Sequence, residues 1–339
     1  MSKNYIIISN SHNPWHNLAL EEYLFNHMEE NTRILYLWQN DKTVVIGKSQ
    51  NSWKECRVAA LEEDGGYLAR RPSGGGAVYH DLGNLCYTFL ASSGLYNLED
   101  QLAIILMALN NLGIEAGFTG RNDIALGDGR KFSGNAFRFV RDKGLMHGTL
   151  LVNTDFEKMS KYLSVSKAKI AAKGVDSVRS RTVNLASVNP AVTIEALKEE
   201  IQRVYSEKYG YCNIINECDI IDEDDRGELK EIEERFSSWN WRLGQTPAFD
   251  VSFEKRFSWG GVELNINVKE GRIQSLQAFT DSMEPELGSL LERSFTGREL
   301  SCESLREGVS EISEVLSQGS LLDAGLFSED ILSWFEEIF

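Results

Sequence analysis

Short apolar runs alternate along the chain with longer segments of helical periodicity, a pattern typical of proteins that contain both strands and helices. Tyr5–Ser9 predicts a strand, and a helix is expected to begin at Pro14, behind the capping residue Asn13, and to run to about Met28. The pattern also predicts a series of strands: Ile34–Trp38, Thr43–Ile46, Tyr67–Arg71, Asn84–Leu90, Ile124–Leu126, Lys131–Val140 and Gly144–Val152.

The strands Ile34–Trp38 and Thr43–Ile46 are expected to pair with each other. Asp128-Gly129 indicates a hairpin between two of the later strands. Helical periodicity predicts further helices at Trp53–Glu63, Leu98–Leu112 and Val192–Tyr209. Because helices separate groups of strands instead of alternating with single strands, the order favours an α+β fold with a large mixed sheet.

A new pattern begins after Thr246-Pro247. Phe249–Phe257, Val262–Val268 and Ile273–Thr280 alternate as strands, and helices are expected at about 284–295, 308–316 and 328–338. The preceding segment, Glu217–Arg235, is acidic and predicts a mostly solvated surface helix or tether. The sequence therefore predicts a domain at 1–245 and a small α+β accessory domain at 246–339.

Charge is distributed unevenly over the 339 residues, whose formal net charge is −16. The first 216 residues hold 24 basic against 23 acidic side chains, so the excess acid lies beyond them. Nucleic-acid binding, which needs a basic face, is not expected.

The apolar run near the N-terminus is too short for a signal peptide, and no run approaches the ~18 residues of a membrane span. These features predict a cytoplasmic protein that does not bind membranes.

Five cysteines are scattered without a C-x-x-C spacing, so neither a zinc site nor a disulfide framework is indicated. They are expected to be free thiols, and Cys86, inside a predicted strand, is expected to be a small core residue.

Residues 70–84 read RRPSGGGAVYHDLGN and contain the most informative motif of the chain. Three consecutive glycines can turn successive backbone N–H groups towards one anion, and two arginines beside them suit a phosphate or a carboxylate. A tight hairpin turn between strands is the alternative interpretation. Gly47-Lys48-Ser49 does not complete a P-loop, because Lys42 stands where that motif needs glycine.

Three further stretches carry candidate chemistry. Asp123 could hold a divalent cation or accept from an adenine amino group, and Lys131 could place a positive charge at a reacting phosphate or carbonyl. A strand lysine is more often a solvated edge residue, and a lone histidine such as His147 is more often structural. The basic stretch around Lys173 is either a solvated loop or a flap over a phosphorylated intermediate.

Taken together, these stretches resemble the lipoate–protein ligase A family. The resemblance covers nearly the whole chain in order, and its motifs are Asn13-Pro14-Trp15, Thr43–Gly47, Trp53–Cys56, Arg70–Asn84, Arg121-Asn122-Asp123, Lys131 with Ser133-Gly134, His147–Thr149, Ala171–Arg181, Phe257–Leu264 and Phe279–Ser282. It implies a biotin/lipoate ligase type of fold. It also implies a two-step reaction: lipoate and ATP, with Mg²⁺, form lipoyl-AMP, and the lipoyl group then passes to a lysine of an acceptor protein.

The resemblance also implies the partners and the roles of individual residues. The expected acceptors are apo lipoyl domains of 2-oxoacid dehydrogenase E2 subunits and the glycine cleavage H protein, bound transiently by a monomeric enzyme without a prosthetic group. Lys131 is expected to be catalytic, and Asp123 to position Mg²⁺ or adenine. The residues expected to bind ATP are Arg71, Gly76, Ala77, Val78, Tyr79, Asp123 and Lys131. Those expected to bind lipoate are Arg71, Ser73, Gly75, Gly76, His80, Lys131, His147, Trp38 and Val45, with Val78 as a further wall of an apolar tunnel. The residues expected to form an adenylate-binding flap are Lys173, Arg179 and Arg181.

Three alternatives remain open at this stage. An octanoyl- or lipoyltransferase of the same superfamily would pass the acyl group through a cysteine thioester without ATP, yet no cysteine lies between Cys86 and Cys212. A biotin ligase is disfavoured because its Gly-Arg-Gly-Arg type of loop is absent. A binding module that has lost activity is not favoured by any feature, since Lys131 and the glycine loop are both present.

Overall fold

The computed structural model describes residues 2–92, 94–119, 122–163, 182–216, 226–243, 251–269 and 271–338. The chain forms two compact units. The first comprises Met1–Val45, Cys56–Ala69 and Val78–Arg242, and the second comprises Ile46–Glu55, Arg70–Ala77 and Leu243–Phe339. Two short segments from the first 80 residues thus belong to the second unit.

Strands and helices follow one another in the mixed order that the sequence predicts, and the α+β fold class is confirmed. The strands are β1 Lys3–Ile8, β2 Thr32–Trp38, β3 Thr43–Ile46, β4 Tyr67–Arg70, β5 Val78–His80, β6 Asn84–Ser92, β7 Ala116–Thr119, β8 Asp123–Leu126, β9 Lys131–Val140, β10 Lys143–Leu151, β11 Asn213–Asn216, β12 Val251–Phe257, β13 Gly260–Lys269 and β14 Arg272–Thr280. The helices are α1 Pro14–His27, α2 Ser52–Glu55, α3 Val58–Glu63, α4 Leu98–Asn111, α5 Phe156–Tyr162, α6 Leu185–Val188, α7 Ile194–Tyr209, α8 Arg226–Ser237, α9 Trp239–Arg242, α10 Leu287–Phe295, α11 Cys302–Leu316 and α12 Ala324–Ile338.

An eight-stranded mixed sheet organises the first unit, in the order β11-β1-β2-β6-β10-β9-β8-β7. Strands β11, β1 and β2 are parallel, and the pairs from β2 to β7 are antiparallel. Every residue of β6 is buried, as expected for a central strand that is covered on both faces. On one face, α1 and α8 enclose a core that includes Tyr36, Trp38, Cys86 and Leu90. Alternate residues point to the other side, where Phe89 meets the ring of Tyr205 on α7.

The sequence correctly predicts how α1 begins. The Asn13 side chain accepts hydrogen bonds from the N–H groups of Trp15 and His16, and Pro14 takes the first turn. Asp128-Gly129 also forms the predicted hairpin, with the N–H of Gly129 donating to the carbonyl of Leu126.

The predicted pairing of Ile34–Trp38 with Thr43–Ile46 is wrong. Both edges of β2 are already occupied by β1 and β6, so β3 pairs instead in a separate sheet of order β4-β3-β5. The prediction of a single helix at Trp53–Glu63 is also wrong. The structure has two short helices there, α2 and α3. They are separated where Cys56 pairs with Leu163 and the N–H of Arg57 donates to the carbonyl of Tyr162.

The described part of the acidic segment forms the predicted surface helix, α8, and most of its residues from 226 to 235 are exposed. Leu229, Ile232 and Phe236 are buried in the core against α1. Residues 217–225 lie outside the described part of the chain. Strands β5, β7 and β11 were not predicted, because runs of three or four residues are too short to show a clear alternation.

The second unit contains an antiparallel sheet of order β12-β13-β14 with α10, α11 and α12. One face of the sheet and the three helices form a core around residues such as Leu264, Leu291 and Phe327. Segments 46–55 and 70–77 are tied to the same unit by backbone hydrogen bonds. The N–H of Thr280 donates to the carbonyl of Ser49 at 2.6 Å.

Within the described residues, no helix combines the length and the apolar character that a membrane crossing requires. The four cysteines of the described part, Cys56, Cys86, Cys212 and Cys302, are all free thiols, as predicted.

Candidate active site

Lys131 and Asp123 form an ion pair in the first unit, with 2.7 Å between Nζ and Oδ1. Lys131 is the first residue of β9 and Asp123 is the first residue of β8, and these strands are neighbours. About a third of each side chain is exposed, at 36 % and 37 %. The pair is therefore accessible to a solute, and its cation lies at the start of a strand rather than on a loop.

A β-bulge explains how these two side chains meet. Ile124 pairs with Ser133, but the next residue, Ala125, pairs with Lys131, so Phe132 is an extra residue on β9. A bulge re-aims the side chains beyond it. Lys131 consequently shares a side with Gly134, since its Nζ lies 3.1 Å from where a Cβ of Gly134 would stand. Asp123 is directly opposite Gly134, so the ammonium crosses this glycine to reach the carboxylate.

The backbone of Lys131 is also engaged. Its carbonyl accepts from the N–H of Val183 at 2.9 Å, and Lys131 pairs in parallel with Thr182. Strand β8 pairs with one edge of β9, and this contact holds the start of β9 at its other edge.

A chain of buried polar contacts lies across the sheet on its α1 face. The indole N–H of Trp38 donates to Thr88 Oγ1 at 3.0 Å, and the Thr88 hydroxyl donates to Glu21 Oε1 at 2.6 Å. His147 Nδ1 lies 2.9 Å and 3.1 Å from the two oxygens of Glu21. Glu21 is only 1 % exposed. A buried carboxylate of this kind is costly unless paired, which makes it a candidate for a function beyond packing.

The residues predicted to line an apolar tunnel lie close to this chain. Trp38 and Val45 belong to one core cluster, and Val78 packs against it. The ring centroid of His80 is 6.1 Å from that of Trp38, and His80 Nδ1 lies 3.2 Å from the Asn40 amide nitrogen. The structure therefore brings Trp38, Val45, Val78 and His80 together, and Glu21 and Thr88 link His147 to them. Tyr79, predicted to lie along a nucleotide, is buried with its ring against Tyr162.

The two arginines of the glycine loop hold backbone carbonyls of the second unit. Arg71 is 6 % exposed, and its Nη2 donates to the carbonyls of Gly74 at 2.7 Å and Gly76 at 2.8 Å, while Nε donates to Ser73 Oγ at 3.1 Å. Burial lowers the pKa of Arg70 to about 10, and Arg70 Nη1 donates to three carbonyls of residues 47–50. By these contacts the two arginines shape the loops around them, and no local pattern in the sequence indicates them.

The glycine loop also contacts the segment after β14. The N–H of Gly75 donates to the carbonyl of Ser282 at 2.8 Å. A Cβ on Gly74 would lie 2.5 Å from the Ser282 carbonyl oxygen and 2.8 Å from that of Met283. The first of the three glycines is therefore required by close backbone approach, whereas a Cβ on Gly76 would meet no atom within 4 Å.

We expect Gly74→Ala to destabilise the second unit by about 1–3 kcal/mol, the usual cost of forcing a methyl group into packed backbone. The matched control, Gly76→Ala, should leave stability nearly unchanged. Scanning calorimetry of the full-length variants measures the difference. Equal melting temperatures for the two variants would contradict the packing described for Gly74.

Part of the predicted site lies outside the described residues, namely Lys173, Arg179 and Arg181 of the expected flap. Among the residues that are described, no group of three or more His, Cys, Asp and Glu side chains could hold a metal ion. Magnesium sites that hold nucleotides commonly use one or two protein carboxylates, with phosphate oxygens and waters as the other ligands.

Sequence reasoning missed Glu21 and Thr88. Glu21 belongs to the same buried stretch of α1 as Leu18, Leu20 and Leu24, and an acidic residue among buried apolar positions is a usable signal. Thr88 gave no signal, because a threonine is ordinary in a strand.

The fold and these residues define a two-part enzyme in which a catalytic domain of the lipoyl protein ligase A/B kind precedes a smaller C-terminal part. The family model described as lipoyl protein ligase A/B catalytic domain matches residues 13–206, and the model described as bacterial lipoate protein ligase C-terminus matches residues 246–335. The chain belongs to the lipoate–protein ligase A family and is a ligase enzyme.

Solved structures agree with this assignment. LipL1 of P. falciparum, in complex with lipoate, is 32 % identical with a TM-score of 0.83, over 97 % of this chain and 98 % of that one. A bipartite lipoate protein ligase from Thermoplasma acidophilum, described with its E2 lipoyl domain, is 26 % identical with a TM-score of 0.64, over 74 % of this chain and 100 % of that one. A lipoate-protein ligase A bound with ATP shares the fold at 24 % identity and a TM-score of 0.61, over 71 % and 99 %.

Proposed function

We propose that this enzyme joins lipoate to a lysine of an acceptor protein in two ATP-dependent steps. In the first step, a carboxylate oxygen of lipoate attacks the α-phosphorus of ATP, and pyrophosphate leaves. In the second step, the ε-amine of the acceptor lysine attacks the acyl carbon of lipoyl-AMP, an amide forms, a proton is released and AMP leaves. Adenylation is needed because a carboxylate oxygen is too poor a leaving group for direct amide formation.

The observation that carries the proposal is the partly exposed cation of Lys131, held over Gly134 by Asp123. Negative charge develops on the α-phosphate in the first step and on the acyl oxygen in the second. A preorganised ammonium next to the α-phosphate and the acyl oxygen stabilises the transition state of each step. We infer that Lys131 keeps its bond to Asp123 when the substrates bind and donates its remaining N–H groups to these oxygens.

We also propose which residues bind the substrates and the metal ion. Residues Arg71, Ser73 and Gly75 to Tyr79 bind the phosphates and the carboxylate, and Trp38, Val45, Val78, His80 and His147 surround the lipoyl chain. The lipoate-bound relative at 32 % identity supports lipoate as the substrate. When bound, Mg²⁺ would offset the charge of the ATP phosphates, with Asp123 as the protein carboxylate nearest to Lys131.

The proposal also covers the acceptor proteins, the location of the enzyme and the role of its second domain. A relative is described with its E2 lipoyl domain, which supports apo lipoyl domains as acceptors, and we extend this to the glycine cleavage H protein. We also propose that the enzyme is cytoplasmic and monomeric, and that residues 246–339 form an accessory domain needed for adenylation more than for transfer. The flap residues Lys173, Arg179 and Arg181 would cover the adenylate phosphate.

The environment of Cys86 argues against the thioester route of a transferase. Cys86 is 1 % exposed, and burial raises the pKa of its thiol well above the usual value. A thiol without thiolate character is a poor acyl carrier.

Intact-mass measurement of an apo lipoyl domain tests the proposal. With full-length enzyme, lipoate and Mg-ATP, the acceptor should gain one lipoyl group, and omission of ATP should prevent the gain. Cys86→Ala should retain the activity. Acylation from an octanoyl carrier thioester without ATP, lost in Cys86→Ala, would establish the transferase alternative instead.

A further inference from the structure

A cluster of polar side chains on β6, β9 and the start of β8 is not explained by packing alone. The Tyr87 hydroxyl donates to Asn135 Oδ1 at 2.6 Å. Asn135 donates to the carbonyl of Asn122 twice, from its backbone N–H at 2.8 Å and from Nδ2 at 3.1 Å. The Asn122 amide returns a bond to the carbonyl of Asn135 at 2.9 Å. We call Tyr87, Asn135 and Asn122 the brace.

The register of the sheet explains how a tyrosine reaches an asparagine two strands away. Tyr87, Gly148 and Asn135 are directly opposite one another on β6, β10 and β9. Adjacent strands are about 4.8 Å apart, so a side chain that crosses one strand needs both length and a gap. Gly148 provides the gap: a Cβ there would overlap both the Tyr87 hydroxyl and Asn135 Oδ1.

The brace acts where the strand pairing is weakest. Strand β8 has four residues, and the bulge interrupts its ladder with β9 between Ile124 and Ala125. Beyond the last ladder pair, Asp123 with Gly134, the brace adds further bonds through the next residues, Asn122 and Asn135. It therefore fixes the end of β8 that carries the Asp123 carboxylate.

We propose that Tyr87 and Asn135 are positioning residues for Lys131, which act by holding Asp123 at the ammonium. Neither side chain needs to touch a substrate. Tyr87 is fully buried and Asn135 is 3 % exposed. The catalytic consequence rests on the proposed function, because it requires that Lys131 stabilise the reacting oxygens.

Tyr87→Phe is the cleanest test, since it removes one hydroxyl and keeps the buried ring. We expect kcat for lipoyl-AMP formation to fall on the order of tenfold, because small misplacements of a catalytic group are costly. The KM for lipoate should change less than about twofold, because ground-state contacts are retained. Tyr205→Phe is the matched control: Tyr205 is also buried, and its hydroxyl has no hydrogen-bond partner in the described part of the structure.

A second readout does not depend on activity. Reductive ¹³C-methylation labels the lysines, and Lys131→Arg identifies the Lys131 signal in the NMR spectrum of the ligand-free enzyme. In Tyr87→Phe this signal should move towards its position in Asp123→Asn, and in Tyr205→Phe it should stay. An unchanged signal in Tyr87→Phe would overturn the brace whatever the kinetics show. If the signal moves in Tyr87→Phe but the wild-type enzyme does not adenylate lipoate, the proposed function is overturned and the brace remains.

A double-mutant cycle completes the test. If the hydroxyl acts through Asp123, Tyr87→Phe should have almost no further effect on kcat in the Asp123→Asn background. Full additivity of the two losses would show that Tyr87 acts by another route, and would contradict the proposal.

Discussion

Lys131→Met is expected to abolish both half-reactions while the protein remains folded. Methionine has a similar length and fits a strand, so β9 should keep its pairing. The loss of one preorganised charge at the reacting centre should reduce each rate by roughly 10²–10³-fold. Single-turnover measurements of lipoyl-AMP formation, and of transfer from supplied lipoyl-AMP, give the two rates separately.

Lys143→Met is the matched control for this substitution. Lys143 also begins a strand of the same sheet, and its ammonium donates to the carbonyl of Asn26. Its replacement should leave both rates within about twofold, as is usual for a surface side chain away from the reacting atoms. An unchanged rate of transfer in Lys131→Met would show that Lys131 serves adenylation only.

Glu21→Ala should destabilise the first unit by about 3–5 kcal/mol, since it removes one partner of a buried polar pair. The substitution leaves His147 and the Thr88 hydroxyl without their carboxylate and opens a cavity beneath the sheet. Urea unfolding followed by far-UV circular dichroism measures the change.

The neighbouring residue provides the control for that measurement. Glu22 forms an ion pair with Arg235 at 2.6 Å, and the Arg235 side chain of this pair is 42 % exposed. Glu22→Ala should therefore cost less than about 1 kcal/mol. If both variants unfold at the same urea concentration, the chain of contacts from Trp38 to His147 does not contribute to the fold as described.

The elements of this fold could be predicted where local pattern and capping residues decide them. Asn13-Pro14 predicts the start of α1, and the alternation after residue 250 predicts β12, β13 and β14, because these signals need no knowledge of the rest of the chain. Strand partners could not be predicted. The pairing of β3 depends on both edges of β2 being taken, which is a property of the assembled sheet.

The candidate site shows the same division. Motifs predict Lys131 and Asp123 as residues of interest, but the contact between them depends on a bulge at Phe132 that no local signal reveals. The sequence does not reveal that Arg70 donates to carbonyls of residues 47–50 or that Arg71 donates to carbonyls of the glycine loop, because these contacts depend on how the loops fold. Glu21, Thr88 and Tyr87 are informative only through partners that are distant in sequence, so a single sequence cannot single them out.

Lipoate-dependent exchange of labelled pyrophosphate into ATP tests the central claim most directly. It requires only the full-length enzyme, Mg-ATP and lipoate, and it reports formation of lipoyl-AMP without any acceptor protein. The account predicts exchange with the wild type and with Lys143→Met, and a rate lower by roughly 10²–10³-fold with Lys131→Met. Absence of exchange with the wild type, or exchange at the wild-type rate with Lys131→Met, would contradict it.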